Sequence, residues 1–358
     1  MSDIIVIGGG IAGISAAARL SHLGRVTVLE RETALGYHAS GRSAALFEQS
    51  YGKPSVIALN KASRAYLETE NGGVLSPRGI MLVGTAETAG LFNHDLAAMH
   101  LTQIGIDAAL DLLAILNPDV VTRAAYDADA FDIDTDRLIQ NFAREVRGNG
   151  GQVLTGAKVT AITRTRDGWR VSTAQGDHAA RLLVNAAGAW VDRIAALAGI
   201  APLGFTPLRR SMARIAAPAG HDVTHWPMVF GAGEDWYAKP DAGALIVSPA
   251  EEHPSEPHDA FADDMVLAEG LARYEAHMTA PVTRMLANWA GLRTFSPDRQ
   301  LVLGPSPQDA AFIWCAGQGG YGFQTAPAAS QLLADLVAGT TPALDPATIA
   351  ALDPARFR

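Results

Sequence analysis

Residues 3–32, DIIVIGGGIAGISAAARLSHLGRVTVLERE, constrain the fold more than any other stretch of this chain. Ile4, Ile5, Val6 and Ile7 form a short apolar run suited to a strand buried on both faces, and Gly8, Gly10 and Gly13 follow at the G-x-G-x-x-G spacing. Gly8 can take the backbone angles of a sharp turn, a bare Gly10 lets a pyrophosphate approach the main chain, and Gly13 lets the next helix pack tightly on the sheet. The open N–H groups at that helix's start then face the phosphates. The helix is predicted to run through Ala16, Ala17, Leu20 and Leu23 to Gly24, before a second buried strand over 26–29. Glu30 stands twenty positions after Gly10, where a carboxylate accepts hydrogen bonds from a ribose diol. Strand, glycines, helix, second strand and acid in one register predict a dinucleotide site on a Rossmann-like α/β unit.

Composition bounds the rest. With 358 residues, 48% of them hydrophobic, the chain can bury a large core and build two domains or one elaborate one. A net charge of -9 and no basic stripe argue against a nucleic-acid partner. The single cysteine, Cys315, excludes an intramolecular disulfide and fits a reducing cytoplasm. No basic region precedes the apolar N-terminal run, which is expected to belong to the glycine turn and not to a signal peptide. No uninterrupted apolar stretch of about eighteen residues suggests a transmembrane span.

Segment 35–45 is rich in Gly and Ser and reads as a loop after the second strand, where Ser40, Arg42 and Ser43 offer donors to phosphate or ring oxygens. A helix is predicted over 54–67, a strand over 80–83 and a helix over 85–100. Residues 132–135 read as a helix cap, favoured over a metal site built from Asp132, Asp134 and Asp136, because no glycine or glutamate completes a calcium loop. No metal ligands are assigned. Strands at 158–163, 169–173 and 181–186 are expected to form an antiparallel meander, the last running into the small-residue turn of Asn185, Ala186, Ala187 and Gly188. Prolines and short β-like runs mark 203–295, with strands at 212–216 and 244–247, a hairpin turn at 240–243 and a helix over 265–278. Strands at 301–303 and 312–316 lead to a second glycine turn, 317–322, and a helix over 324–337 whose N-terminus would stabilise negative charge. The tail after Thr340 reads as an accessory strap.

An N-terminal glycine fingerprint, a meander ending in N-A-A-G and a C-terminal glycine loop resemble the D-amino-acid oxidase class of FAD enzymes. Within it, the bacterial D-arginine dehydrogenases are similar at Gly36-Tyr-His, Gly41-Arg-Ser-Ala-Ala45, residues 184–190, Trp226-Pro-Met228, Tyr237 with residues 239–243, Trp289-Ala-Gly-Leu-Arg293 and Gln318-Gly-Gly-Tyr-Gly322. The resemblance implies an FAD-binding domain from 1–46, 132–202 and 296–358, and a substrate domain on an antiparallel or mixed sheet from 47–131 and 203–295. It also implies non-covalent FAD held by Gly8, Gly10, Ile11, Ala12, Gly13, Glu30 and Arg31, and by His38, Ser40, Gly41, Arg42, Ser43, Ala44 and Ala45. Val159, Ala187, Gly188 and Trp190 would contribute from the middle of the chain, and Arg293, Gly319, Gly320, Tyr321, Gly322, Phe323, Gln324 and Thr325 from its end.

The implied reaction oxidises a D-amino acid to its imino acid, which water hydrolyses to a 2-oxo acid and ammonia. Arg293 would grip the substrate carboxylate bidentately, Tyr237 would donate to it, Arg210 would add a second cation, and Tyr51 would sit on a lid. The Gly320 carbonyl would meet the substrate amine and Met228 would wall its side chain. Two positions depart from the pattern. Ile80 stands where the arginine enzymes carry a carboxylate, and Leu46 where they carry a histidine, which shifts the expected preference to neutral or apolar substrates. Glu48, an acid in the same lid segment, could replace the lost charge from another direction or simply point to solvent. A glycine- or sarcosine-type oxidase and a 2-hydroxy-acid dehydrogenase stay open as alternatives, as does a quinone or another electron acceptor. No side chain reads as an obligatory base, since hydride transfer from a neutral amine needs none.

Overall fold

The computed structural model describes residues 2–357. Strand Ile4–Ile7 lies between Val26–Leu29 and Leu182–Asn185, parallel to both, inside a six-stranded sheet. Phe312–Ala316 and Gln152–Leu154 extend it in parallel, and Val302–Pro305 closes one edge antiparallel. The central run is apolar at every position because both faces are covered. Ile4 and Val6 pack into the core of helices Ile11–Leu20, Thr135–Gly148 and Gly322–Ala338, whereas Ile5 and Ile7 pack under the meander and helix Val191–Leu197. Ala16, Ala17 and Ala18 meet Ala326 and Ala329 in that first core, so two helices approach closely.

The first helix stops at Leu20, short of the expected Gly24, because Ser21 caps it and the chain turns to let the Asp3 carboxylate accept from Arg25 N at 2.9 Å. The meander also differs from expectation. Its strands are Val159–Thr165, Gly168–Thr173 and Gly176–Ala180, while 182–185 belongs to the parallel sheet. Apolar Leu183 and Val184 are buried on both faces, and a meander edge would leave one face of them in water. Helix Thr135–Gly148 is capped as expected, with the Asp134 carboxylate accepting from Arg137 N at 3.0 Å.

A second sheet of nine strands holds the other half of the molecule. Its middle runs Thr206–Ala216, Ala244–Ser248, Tyr237–Asp241, Met228–Gly231, Ile80–Gly84 and Arg123–Asp127, with Met228–Gly231 and Ile80–Gly84 parallel and the other pairs antiparallel. Ala242 and Gly243 both have positive φ, 44° and 75°, as a tight hairpin between Asp241 and Ala244 requires. The eleven-residue strand Met285–Phe295 pairs along Thr206–Ala216. Sequence patterning does not reveal that strand, because its first four residues are exposed and Gly291 interrupts any alternation.

Residues 47–74, expected in the second domain, pack with the first: Phe47, Val56, Leu59, Leu67 and Val74 are buried in the core that contains Ile4 and Val6. Helix Pro54–Thr69 lies on Gly322–Ala338, and Leu46–Glu48 pairs with Ala130–Ile133 in a small three-stranded sheet. The tail holds helix Pro346–Leu352, whose fully buried Leu352 joins the same core. Among the described residues, no helix is long and apolar enough to cross a membrane.

Candidate active site

One cavity of about 890 Å³ runs between the two sheets and collects residues from all three glycine-bounded corners. At one end Gly8, with φ +111°, lies so close to the 185–188 turn that a Cβ there would stand 2.3 Å from Ala186 O. A Cβ on Gly13 would stand 1.9 Å from Gly8 O. These contacts hold the N-terminus of helix Ile11–Leu20 at the cavity wall, where its first N–H groups lack helical partners. Ser40 Oγ accepts from Ile11 N at 3.0 Å, so the 35–45 loop folds onto that helix start. Glu30 borders the same end, its carboxylate accepting from Gly9 N at 2.6 Å and Glu32 N at 2.8 Å. Burial raises its pKa despite these two donors.

Most of the sequence-assigned cofactor residues line this cavity: Gly8, Gly10, Ile11, Ala12, Glu30, Arg31, His38, Ser40, Arg42, Ser43, Ala44, Ala45, Val159, Ala187, Gly188, Trp190, Gly319, Gly320, Gly322, Phe323 and Gln324. Gly13, Gly41, Tyr321 and Thr325 stand behind the wall. Gly41 is bare because a Cβ would meet Gly36 O at 2.5 Å, and Tyr321 caps the helix in which Thr325 Oγ1 donates to Tyr321 O. Arg42 uses its donors within the protein, donating to the Ala260 and Ala290 carbonyls at 2.8 Å and pairing with Asp259. Ser43 Oγ accepts from Ala45 N within its own turn. His38 bonds Glu32 at 2.9 Å and packs on Trp190. Cys315 is buried with its Sγ against Ala12 O, and burial pushes its thiol pKa up to about 12, so it is an inert packing residue.

The opposite end is built on one face of the nine-stranded sheet. Arg210 lies opposite Gly291, and Arg293 opposite Leu208, so the two guanidinium-bearing residues occupy one face of adjacent strands, diagonal to each other. Across the same face come Met212, Tyr237 and Phe230, then Met228 beside Ile80. Tyr237 is buried, and among the described residues its hydroxyl has as partner only the Met212 sulfur at 3.4 Å, a weak acceptor. Arg210 is 9% exposed, pairs loosely with Glu252 at 3.4 Å and leaves its Nε buried without a partner. Burial and the charge of Arg293 lower its pKa.

Arg293 has no hydrogen bond or ion pair to any described residue and lies against the glycine loop, where a Cβ on Gly320 would come within 3.1 Å of its Nη1. Burial works against its charge, but the Tyr237 and Tyr51 oxygens and Glu252 outweigh that and hold its pKa above the ordinary value. Tyr51 reaches over the cavity and donates to the Glu234 carboxylate at 3.0 Å. Burial, then Glu234, raises the Tyr51 pKa. Leu46, Ile80, Met228, Phe230 and Met99 make an apolar wall beside this polar group.

Sequence reasoning missed Glu234, Met99, Phe230, Met212 and the segment 257–260, all of which line the cavity. None carries a motif. Glu234, on a tight turn with φ 53°, is the one with a signal, a charged residue in a Gly-rich bend between two strands. Burial raises its pKa as well, against the pull of Tyr51, Arg210 and Arg293.

A glycine-bounded helix start and acidic partner at one end, a second helix N-terminus at the other and a cavity joining them are what an elongated dinucleotide needs, and these residues fit it. A family model described as FAD dependent oxidoreductase (DAO) matches residues 3–336. The chain belongs to this family. It is 26% identical over 367 residues to a glycine oxidase of Pseudomonas putida, covering 97% of this chain and 98% of that one. An N-methyl-L-tryptophan oxidase of Citrobacter koseri is 25% identical, with 96% of each chain covered. Among solved structures, an L-proline dehydrogenase from P. horikoshii superposes with a TM-score of 0.84 at 23% identity, covering 99% and 97%, and shares the fold. The protein is an FAD-dependent oxidoreductase with a Rossmann-like FAD domain.

Proposed function

We propose that this oxidoreductase oxidises a neutral or apolar D-amino acid to its imino acid. The observation that carries the reading is Arg293, a cation without a hydrogen-bond or ion-pair partner among the described residues, facing a cavity whose adjoining wall is apolar at Ile80, Leu46, Met228, Phe230 and Met99. Arg293 is half-buried, and a guanidinium drawn that far out of water without a carboxylate is costly unless a ligand supplies one. Arg293 pairs bidentately with the substrate carboxylate in this reading, and Arg210 and Tyr237 complete the clamp. Tyr51 covers the carboxylate, and the Gly320 carbonyl accepts from the substrate amine. The D configuration rests on the resemblance of 184–190, 226–228, 237–243 and 289–293 to D-amino-acid-oxidising enzymes.

Bound FAD supplies the hydride acceptor at its N5. This chain's residues hold the carboxylate at two points, fix the Cα–H direction and exclude water with the apolar wall. No side chain in the clamp is required to take a proton if the amine enters neutral.

A second reading, an amine oxidase for glycine or an N-methylated amino acid, is favoured by the names of the relatives at 25–26% identity. Anaerobic bleaching of the flavin by D- and L-amino acids, glycine, sarcosine and 2-hydroxy acids separates the readings. Rapid bleaching by D-leucine or D-methionine with release of ammonia is expected. Bleaching by sarcosine or glycine alone would sink the first reading, and hydrogen peroxide formed in air would identify oxygen as the acceptor.

A further inference from the structure

The turn that carries Tyr51 is held by two buried polar residues that the chemistry above does not use. Asn60, fully buried on helix Pro54–Thr69, directs its Nδ2 at the carbonyls of Glu48, Gln49 and Tyr51, at 3.4, 3.3 and 3.2 Å. Glu48, 4% exposed, closes the turn from the other side: its Oε1 accepts from Ser50 N at 2.9 Å, and its backbone carbonyl accepts from Tyr51 N at 3.4 Å. Glu48 N in turn donates to Gln324 Oε1 at 3.3 Å, in the first helical turn of Gly322–Ala338. Three atoms in this group are buried without a hydrogen-bond partner among the described residues: the acceptors Glu48 Oε2 and Asn60 Oδ1 and the donor Gln324 Nε2.

We propose that Glu48 and Asn60 are positioning residues that fix the Tyr51 hydroxyl over the cavity, and that Gln324 couples this turn to the helix facing the cofactor. The inference rests on Tyr51 being part of the carboxylate clamp. A glutamine at position 48 would accept from Ser50 N equally well, so an acid buried here adds one property, a proton that can leave. When it leaves, Glu48 Oε2 becomes a charged acceptor, and the Gln324 amide satisfies it by turning its Nε2 toward it and releasing Glu48 N. The turn then loses its anchor to helix Gly322–Ala338, and Tyr51 moves with it.

The surroundings set where this happens. Asp127 and Asp129 face Glu48 from the turn between strands Arg123–Asp127 and Ala130–Ile133, and Asp129 is itself paired with Arg64 of the Asn60 helix. Asn60 and Gln324, from the two packed helices, are neutral. Burial, then Asp127 and Asp129, pushes the Glu48 carboxyl up to about 7. Glu234, which accepts from the Tyr51 hydroxyl, is also raised in pKa by burial, against the pull of that hydrogen bond.

The test titrates the FAD-loaded enzyme with benzoate, a carboxylate it cannot oxidise, followed by the flavin absorption spectrum between about pH 6 and pH 8.5. Benzoate is ionised throughout that range, so any change belongs to the protein. Wild type should bind about tenfold more weakly at the upper limit, the size of one hydrogen bond lost. Glu48→Gln should bind tightly and lose this pH dependence, and Asn60→Ser should bind about tenfold more weakly at every pH with flavin content unchanged. Tyr51→Phe is the reference. If it weakens benzoate while Glu48→Gln keeps the wild-type profile and Asn60→Ser binds like wild type, the positioning role is overturned. If Tyr51→Phe itself binds benzoate like wild type, Tyr51 is not in the clamp and the reading beneath this inference fails.

Discussion

The two ends of the cavity are built on different principles. At the fingerprint end the wall is main chain: Gly8, Gly10 and the first turn of Ile11–Leu20, held by contacts so close that a Cβ on Gly13 would overlap Gly8 O. At the other end the wall is side chains from Thr206–Ala216, Met285–Phe295, Tyr237–Asp241, Met228–Gly231 and Ile80–Gly84, brought together only by strand pairing. Backbone geometry of this kind tolerates no side chain at Gly8 or Gly13. Side chains on a sheet face can be exchanged singly, so the second end is where substrate choice can vary without loss of the fold.

The comparison breaks most sharply at Gly13. Gly13→Val should leave no room for the helix against the first turn, giving colourless or insoluble protein; flavin content after purification is the measurement, and a yellow, stable variant would mean the turn is not the cofactor's cradle. At the other end, Arg293→Met should keep the flavin while kcat/KM falls about a thousandfold, the ~4 kcal/mol expected when one partner of a buried charge pair is removed. Equal loss of flavin and activity would show that the two ends are not separable.

Glu48 gives a stability test with a definite sign. Its carboxyl titrates near 4.5 when unfolded and near 7 when folded, so between these the folded chain holds one extra proton. Raising pH through that window therefore removes stability, on the order of 3 kcal/mol in all. Glu48→Gln should match wild type below about pH 4.5 and exceed it by up to this amount above pH 7, read from denaturant unfolding at several pH values. The smallest effect is expected from Ile80→Glu, which puts an acid in the apolar wall: kcat/KM should shift about tenfold toward D-arginine and D-lysine relative to D-leucine. An unchanged ratio would place the substrate side chain elsewhere in the cavity.

The fingerprint end was legible because its constraints are local. Gly8, Gly10, Gly13 and Glu30 lie within one strand–helix–strand unit, and each is required by backbone geometry or by a ligand atom at fixed spacing. Arg293, Tyr237 and Arg210 were readable only through likeness to a family, because nothing in Gly-Leu-Arg-Thr-Phe distinguishes a ligand-facing arginine from one on the surface. Glu234 carried only a weak signal, a charged residue in a Gly-rich bend, and such a residue is ordinarily solvated. The meander was misread at its last strand because Leu182–Asn185 has the apolar composition of either a meander edge or a buried parallel strand, and only its pairing with Ile4–Ile7 decides.

The sequence by itself determined the strand–glycine turn–helix unit that opens the chain and fits a dinucleotide, because glycine spacing and strand burial act locally over thirty residues. Tertiary structure decided which side chains share the cavity. The faces of Arg210, Met228, Ile80 and Arg293 follow from the register of four strands far apart in the chain, and a shift of one residue in any pairing would turn its side chain to the opposite face.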